Sequence, residues 1–132
     1  MAEHPNATLI RQAYDAMAKG DIPWMQEHTD ADVIFHQGGR FPTAGVYKGR
    51  DALFGHFMEF MQMVGGDFSI EPHRLLADDE FVTALITVSI GKDGRRLSFD
   101  EVHIFNVANG LLKQMWAVPY DPYEVDEFFK AS

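Results

Sequence analysis

The spacing of apolar residues changes at Gly65-Gly66, and this change does most to limit the folds open to the chain. Before the two glycines, apolar residues recur at helical spacing; after them, they fall in strand-like runs. Turn-forming residues such as Lys92-Asp93-Gly94 and Ala108-Asn109-Gly110 separate four of these runs. The predicted strands are residues 68–76, 81–90, 97–107 and 111–118. We therefore expect the second half of the chain to form an antiparallel meander.

Helices account for most of the first half. Caps and apolar spacing predict a helix over residues 6–19, a short one from Asp21 to about His28, and the main amphipathic one over residues 50–64. The β-branched and aromatic residues 33–36 predict one further strand, and an acidic capping box at Asp121 predicts a closing helix. The order ααβαββββα indicates an α+β fold, with helices segregated against an antiparallel sheet.

Composition excludes several classes of protein. The 132 residues fit one domain, 1–132, and the absence of cysteine excludes disulfides and thiolate chemistry. A net charge of −9 disfavours nucleic acid and anionic membranes as partners. The sequence has neither a leader pattern nor a long apolar run, so we expect a cytoplasmic protein. Eleven Phe and seven Met are typical of an apolar interior that can accept a ligand.

Short motifs in a fixed order resemble the SnoaL-like branch of the NTF2/ketosteroid isomerase superfamily. The residues that carry the resemblance are Tyr14-Asp15-Ala16, Lys19-Gly20-Asp21, Phe35-His36, residues 45–50, Asp93-Gly94-Arg95, residues 102–105, Asn109-Gly110 and Trp116. The resemblance implies a cone-shaped NTF2-like fold, in which a curved antiparallel sheet wraps around three helices and leaves an apolar pocket. It also implies a homodimer through the sheet, to which the mixed outer face of residues 83–89 would be suited.

The resemblance is less specific for activity, because this superfamily hosts isomerases, cyclases, dehydratases, epoxide hydrolases and non-catalytic binders. Ketosteroid isomerase itself needs an Asp base, a Tyr donor and a protonated Asp donor, as the well-studied example shows. Matched to this sequence, those positions fall on His36, Ala13 and Val102. Neither donor is kept, so steroid isomerisation by the known set of residues is not expected.

His36 is the first candidate for a catalytic base, because it matches the family's base and ends a strand beside a glycine-rich loop. An imidazole can accept a proton near neutral pH. The alternative is a histidine at the loop edge that is bonded to a backbone carbonyl.

Two other residues could assist His36. Asp100 shares strand parity with Val102 and Ile104; if that face is the inner one, Asp100 is a pocket acid, a partner that orients His36, or a solvated residue at the strand start. On this assignment Glu101 and His103 face a partner or solvent. Tyr14 is either a hydrogen-bond donor in the pocket or part of the packed core.

Several further side chains are expected to bind the substrate. Trp24, Phe57, Phe60, Met61, Val102, Met115 and Trp116 are predicted to form the pocket wall, with core filling as the alternative. Arg40 could hold an acidic group at the pocket mouth or could simply be solvated. His56 and His73 are expected at the surface.

No cofactor or metal is expected, since the sequence lacks metal-binding histidine spacings and a phosphate-binding glycine loop. The sequence favours a cofactor-independent acid/base enzyme, of isomerase, cyclase, dehydratase or hydrolase type, acting on a small apolar molecule. A non-catalytic binding or accessory protein is the main alternative. A protein that acts through its outer sheet face is a third possibility.

Overall fold

The computed structural model describes residues 3–130 and contains four helices and six strands in that range. The predicted domain ends, 1 and 132, lie outside it. In chain order the elements are α1 (Pro5–Lys19), α2 (Ile22–Glu27), β1 (Thr29–Gln37), β2 (Gly45–Lys48), α3 (Arg50–Met63), β3 (Phe68–Ala77), β4 (Phe81–Lys92), β5 (Arg95–Ala108), β6 (Leu111–Pro119) and α4 (Pro122–Lys130). All of the predicted elements are present, and β2 is an addition that the sequence did not suggest.

The six strands form one sheet in the order β2-β1-β6-β5-β4-β3. The predicted meander from β3 to β6 is antiparallel, but β1 and β6 pair in parallel. The sheet is therefore mixed rather than wholly antiparallel, because the last strand of the meander returns beside the first strand of the chain. Helices packed against a curved open sheet confirm the predicted α+β, NTF2-like fold class.

A two-residue turn at Asp93-Gly94 fixes how β4 pairs with β5. Both residues have positive φ angles, 55° and 78°, as a tight hairpin with the twist of its strands requires. This turn places Ile86 opposite Glu101 in the antiparallel ladder. Residues that lie directly opposite each other project from the same face of a sheet.

The inner face of β4 forms the centre of the core, as predicted. Its five alternating residues are at most 3% exposed: Val82, Ala84, Ile86, Val88 and Ile90. They pack with aromatic side chains such as Phe105, Phe128 and Phe129. Helix α4 closes one end of this core with Val125, which is 1% exposed.

The predicted inner face of β5 is wrong. Glu101 and His103 are 6% and 4% exposed and face the core, whereas Asp100 is exposed on the opposite side of the sheet. The partners of β4's inward residues must point inward too, and the tight turn makes those partners the odd-numbered residues of β5. The side chains of Val102 and Ile104 therefore lie on the outer face, with Asp100.

We predict that neighbouring residues of β4 differ sharply in their contribution to stability. Ile86→Ala should lower the free energy of unfolding by about 2–5 kcal/mol, because it leaves a cavity in a site that is 1% exposed. Leu85→Ala, on the half-buried outer face, should cost distinctly less. Urea unfolding of the two variants measures the difference, and equal losses would contradict the assigned faces.

Candidate functional site

A cavity of about 180 Å³ lies between the helices and the inner face of the sheet. Its walls come from α1, α2, α3 and the sheet, and most of the side chains are apolar. An apolar cavity on the order of 150 Å³ suffices to bind benzene in another protein. The space therefore suits a small ring compound. The polar side chains that border it are Tyr14, His28, Thr29, Gln37, His56, Glu101 and His103.

Helix α1 supplies one wall with the apolar stripe that the sequence predicted. Its members, Leu9, Ile10, Ala13, Tyr14 and Met17, all border the cavity. The helix begins after His4, whose ring accepts a hydrogen bond from the backbone N–H of Asn6, and it ends at Gly20 in the left-handed conformation. These caps determine where the helix begins and ends, and the apolar stripe turns that face toward the sheet.

Two buried polar side chains, Glu101 and His103, form a continuous hydrogen-bonded chain with the half-buried Tyr14 at this wall. The hydroxyl oxygen of Tyr14 lies 2.7 Å from Nδ1 of His103, and Nε2 of His103 lies 2.8 Å from a carboxylate oxygen of Glu101. All three residues border the cavity. We call this chain the Tyr14–His103–Glu101 relay.

The surroundings of Tyr14 keep its hydroxyl protonated. Burial raises the pKa of Tyr14 well above its usual value, and the negative charge of Glu101 raises it further. Tyr14 is therefore a neutral phenol. In the tautomer of His103 with its proton on Nε2, that nitrogen donates to Glu101 and Nδ1 accepts the Tyr14 proton. The phenol oxygen then keeps a lone pair for the cavity.

Small neighbours leave room around His103. Its cross-strand partners are Ala84 on β4 and Ala117 on β6, which are 0% and 1% exposed. Ala117 also borders the cavity, and a larger side chain there would fill space beside the imidazole. The cavity therefore reaches the sheet at the relay.

His56 lies in the cavity wall formed by α3, where the predicted surface position is wrong. The residue is 8% exposed, and its ring meets Phe35 and Tyr47 edge to face at 4.8 and 4.6 Å. Within residues 3–130 its Nε2 has no hydrogen-bond partner, while the ring bonds to the backbone carbonyl of Thr43. Burial lowers the pKa of His56 to about 4, so the ring is neutral at pH 7.

The structure brings five of the predicted site residues to the cavity. Trp24 borders it from α2 and stacks on His28 at a centroid distance of 3.9 Å. The other four are Tyr14, Phe57, Phe60 and Met115. These five side chains therefore form part of the cavity wall.

His36 and Trp116 lie on the outer face of the sheet, so the predicted location of both is wrong. Their rings stack at 5.0 Å with an interplanar angle of 3°, and the imidazole is 3.4 Å from the Gln114 amide oxygen. The inward positions of β1 belong to Val33 and Phe35, which are 0% and 4% exposed. Strand alternation then turns His36 outward.

Four other predicted residues also lie outside the cavity wall. Asp100 accepts a hydrogen bond from the Thr87 hydroxyl at 2.8 Å on the outer face, which Val102 shares. Arg40 is exposed in the loop after β1, where its backbone N–H bonds to a carboxylate. Met61 is on the side of α3 turned away from the cavity, one residue beyond Phe60.

The positions matched to the ketosteroid isomerase base and second donor, His36 and Val102, both point away from the cavity. Their chain neighbours Gln37 and His103 point into it. The alignment with the ketosteroid isomerase positions was therefore wrong by one residue on two strands. For this reason the sequence did not predict the relay. The turn at residues 93–94 was the signal that could have revealed it, since it sets which residues of β5 face inward.

Within residues 3–130, no three His, Asp or Glu side chains converge closely enough to hold a metal ion. In the same range, no helix has the length and hydropathy needed to span a bilayer.

Comparison with known proteins identifies relatives along nearly the whole chain. A family model described as a SnoaL-like domain matches residues 10–115. The protein Rv0034 of Mycobacterium tuberculosis, which has no described function, is 22% identical over 130 residues, covering 98% of this chain and 99% of that protein.

Solved structures show the same fold. Bal32a, from a soil-derived mobile gene cassette, is 31% identical and superposes with a TM-score of 0.89 over 94% of this chain and 95% of its own. TerC, co-crystallised with polyporic acid, is 18% identical, with a TM-score of 0.85 over 96% of this chain and 99% of its own. A cystatin-like protein of Xanthomonas campestris is 20% identical, with a TM-score of 0.86 over 92% and 95%.

We predict that His56 makes the protein less stable in mild acid. Because burial lowers the pKa of His56 to about 4, the unfolded chain takes up a proton below pH 6.5 while the folded protein does not. Stability should therefore fall between pH 6.5 and 4, by up to about 3 kcal/mol from this group. Urea unfolding of wild type and His56→Phe across this range measures the effect.

The matched control for that experiment is His73→Phe, which removes an exposed histidine of β3. This variant should keep the pH dependence of the wild type, whereas His56→Phe should lose stability less steeply as the pH falls. If both variants followed the wild-type curve, His56 would not be the group that titrates.

Proposed function

The chain belongs to the SnoaL-like family, and on that premise we propose that it is a cofactor-independent acid/base enzyme that processes a small, largely apolar molecule. The observation that carries this proposal is the Tyr14–His103–Glu101 relay at the wall of an apolar cavity. Burying a carboxylate and an imidazole is costly, and a packed core gains little from such a pair. A role in moving protons accounts for their presence.

The relay can take a proton from a bound molecule in one concerted step. The phenol oxygen of Tyr14 accepts the proton of a substrate C–H or O–H bond, and the phenol passes its own proton to Nδ1 of His103. The bonding electrons stay on the substrate as an enolate or alkoxide, and the Tyr14 hydroxyl now donates a hydrogen bond toward that anion. Glu101 stabilises the imidazolium that forms.

The same relay can return the proton to a different atom, because the reverse step starts from the imidazolium. Isomerisation, cyclisation and dehydration all require that a proton be removed from one atom of the substrate and returned to another. Hydrolysis requires that a proton be removed from the attacking water. General acid/base help of this kind contributes about 10²- to 10⁴-fold in rate. The apolar surroundings of the cavity strengthen each of these electrostatic interactions.

The runner-up is a protein that binds a small molecule without transforming it. The mainly apolar cavity wall favours it, since apolar walls supply affinity without chemistry. TerC, a protein of the same fold, was co-crystallised with polyporic acid, which is compatible with either function. Measuring proton exchange on a bound ketone distinguishes the enzyme from the binding protein, because a protein that only binds does not accelerate the exchange.

We predict that the protein accelerates exchange of the α-protons of 2-tetralone, a small apolar ketone, in D₂O. Tyr14→Phe and His103→Gln should each lower the enzyme-dependent rate by about 10²- to 10⁴-fold, because each interrupts the relay. Integration of the α-proton signal by ¹H NMR over time gives the rates.

His73→Gln serves as the control for His103→Gln, since it makes the same change in a histidine on β3 that is exposed. Its exchange rate should equal that of the wild type. Binding of 2-tetralone without any enzyme-dependent exchange would count against the enzyme and for the binding protein.

We also propose the homodimer through the outer face that the family resemblance implied. Apolar side chains are exposed or half-buried on this face of the central strands: Leu85, Val102, Ile104, Trp116 and Val118. Val118 alone is 46% exposed, and a second copy would cover it.

Ile104→Glu should convert the dimer to a monomer, because it places a carboxylate among these apolar side chains. Sedimentation velocity measures the result. Tyr123→Glu on α4, where the side chain is 78% exposed, is the control and should leave the dimer intact. A monomeric wild-type protein would contradict the proposal.

A further inference from the structure

We propose that the cavity has a second polar site, at the end of helix α2, which binds a hydroxyl group of an uncharged ring compound. Nε2 of His28 accepts the hydroxyl proton, and the indole of Trp24 stacks on the imidazole. We call this site, formed by Trp24, His28 and Thr29, the α2 corner. It would serve an enzyme or a binding protein alike, so it goes beyond the acid/base function proposed above.

The hydrogen bond of His28 to helix α2 determines which of its ring nitrogens is free. Nδ1 of His28 lies 2.7 Å from the backbone carbonyl oxygen of Trp24. A carbonyl oxygen can only accept, so Nδ1 carries the proton, and Nε2 of the neutral ring has a lone pair instead. Within residues 3–130 this Nε2 has no hydrogen-bond partner, and unlike Nε2 of His56 it is not enclosed by protein atoms.

Thr29 gives the α2 corner the same character. Its hydroxyl donates to the backbone carbonyl of Met25 at 2.6 Å, so its proton is used and only its lone pairs remain. Both His28 and Thr29 border the cavity. The polar atoms that this corner offers to a ligand are therefore acceptors, and the ligand group that satisfies them is a donor.

Three contacts hold the imidazole of His28 in one orientation. Its ring stacks on the indole of Trp24 at a centroid distance of 3.9 Å, and its Nδ1 is bonded to helix α2. Its backbone carbonyl accepts a hydrogen bond from the N–H of Leu112 at 2.8 Å, which attaches this corner to β6. An acceptor that is already fixed loses little freedom when a ligand binds. None of these contacts uses Nε2, so a purely structural role leaves that atom unexplained.

The charge of the cavity wall disfavours anionic ligands. Among the described residues, no lysine or arginine borders the cavity, and Glu101 is the one acidic residue that does. A bound anion would lose its hydration without gaining a cationic partner, and the Glu101 carboxylate would repel it. A carboxylate ligand also lacks the proton that the α2 corner accepts. Uncharged alcohols and phenols meet both requirements.

The α2 corner is separate from the relay. Leu112, which bonds to His28, and Ala117, which pairs with His103, lie on the same strand, β6. The five residues from 112 to 117 correspond to about 16 Å along a strand. Substitutions of His28 should therefore leave the hydrogen bond between Tyr14 and His103 intact.

The experiment compares 2-naphthol with 2-methylnaphthalene, which has a similar shape and lacks the hydroxyl group. Dissociation constants are measured by NMR titration of the wild type and His28→Asn, in mildly alkaline buffer that favours neutral imidazole. The Asn amide can still donate to the Trp24 carbonyl, but it has no atom at the position of Nε2. His28→Asn should weaken 2-naphthol about 5- to 10-fold, the effect of one neutral hydrogen bond, and leave 2-methylnaphthalene nearly unchanged.

Three further measurements make the result specific. His28→Gln brings an amide near the position of Nε2 and should recover part of the lost affinity. His36→Asn makes the same change in an imidazole that also stacks on a tryptophan, but on the outer face, and should bind both ligands as the wild type does. 2-Naphthoate should bind the wild type at least about 10-fold more weakly than 2-naphthol, because an unpaired carboxylate is costlier to bury than a hydroxyl. Thermal unfolding of each variant verifies that it is folded.

The proposed site is overturned if 2-naphthol does not bind the wild type, or if His28→Asn weakens both ligands alike or neither. It is also overturned if His36→Asn weakens 2-naphthol as His28→Asn does, or if 2-naphthoate binds as tightly as 2-naphthol. Selective loss of 2-naphthol binding in Tyr14→Phe, with His28→Asn unaffected, would place the hydroxyl at the relay instead. Deuterium exchange judges the acid/base chemistry separately, and its absence would leave a hydroxyl site at the α2 corner intact.

Discussion

The pairing register between β4 and β5 is the constraint on which the rest of the structure depends. A turn of two residues, Asp93-Gly94, leaves one way for these strands to pair, and that register carries Glu101 and His103 into the interior. A shift by one residue would turn every side chain of β5 to the other face. The core would then receive Asp100 and lose the hydrogen-bonded chain to Tyr14. Turn geometry at the sheet end thus determines which polar groups the cavity contains.

The polar groups that face the interior can be accommodated there because each has a hydrogen-bond partner. Glu101 accepts from His103, and the imidazole connects in turn to the phenol on α1. Removal of any one member would leave a buried polar atom without its bond, which costs more than the bond itself contributes. Helix and sheet are therefore joined at this point by polar contacts as well as by apolar packing. His56 contrasts with this arrangement, because its unpartnered nitrogen is kept neutral instead.

The sequence predicted the fold well, since strong periodicities mark α1, α3 and the four strands of the meander. The face of a strand was predictable where one parity was clearly apolar, as from Val82 to Ile90 on β4. On β5 the inward positions carry Leu97, Phe99, Phe105 and Val107, but the polar Glu101 and His103 lie between them. The apolar pair Val102 and Ile104 on the other parity therefore suggested the wrong face. β2 was not predicted because a strand of four residues that begins with a glycine carries too little pattern. The long-range contact of Tyr14 with His103 depends on packing that no local pattern encodes.

The alanine of β6 beside the imidazole has a consequence for how such a protein can diversify. Ala117 borders the cavity beside His103, yet it makes no hydrogen bond in the Tyr14–His103–Glu101 relay. A substitution at this position alters the shape of the cavity while the three polar groups keep their places. In the enzyme proposed above, the range of accepted molecules and the reactivity would then depend on different residues, and the first could change by single mutations without loss of the second.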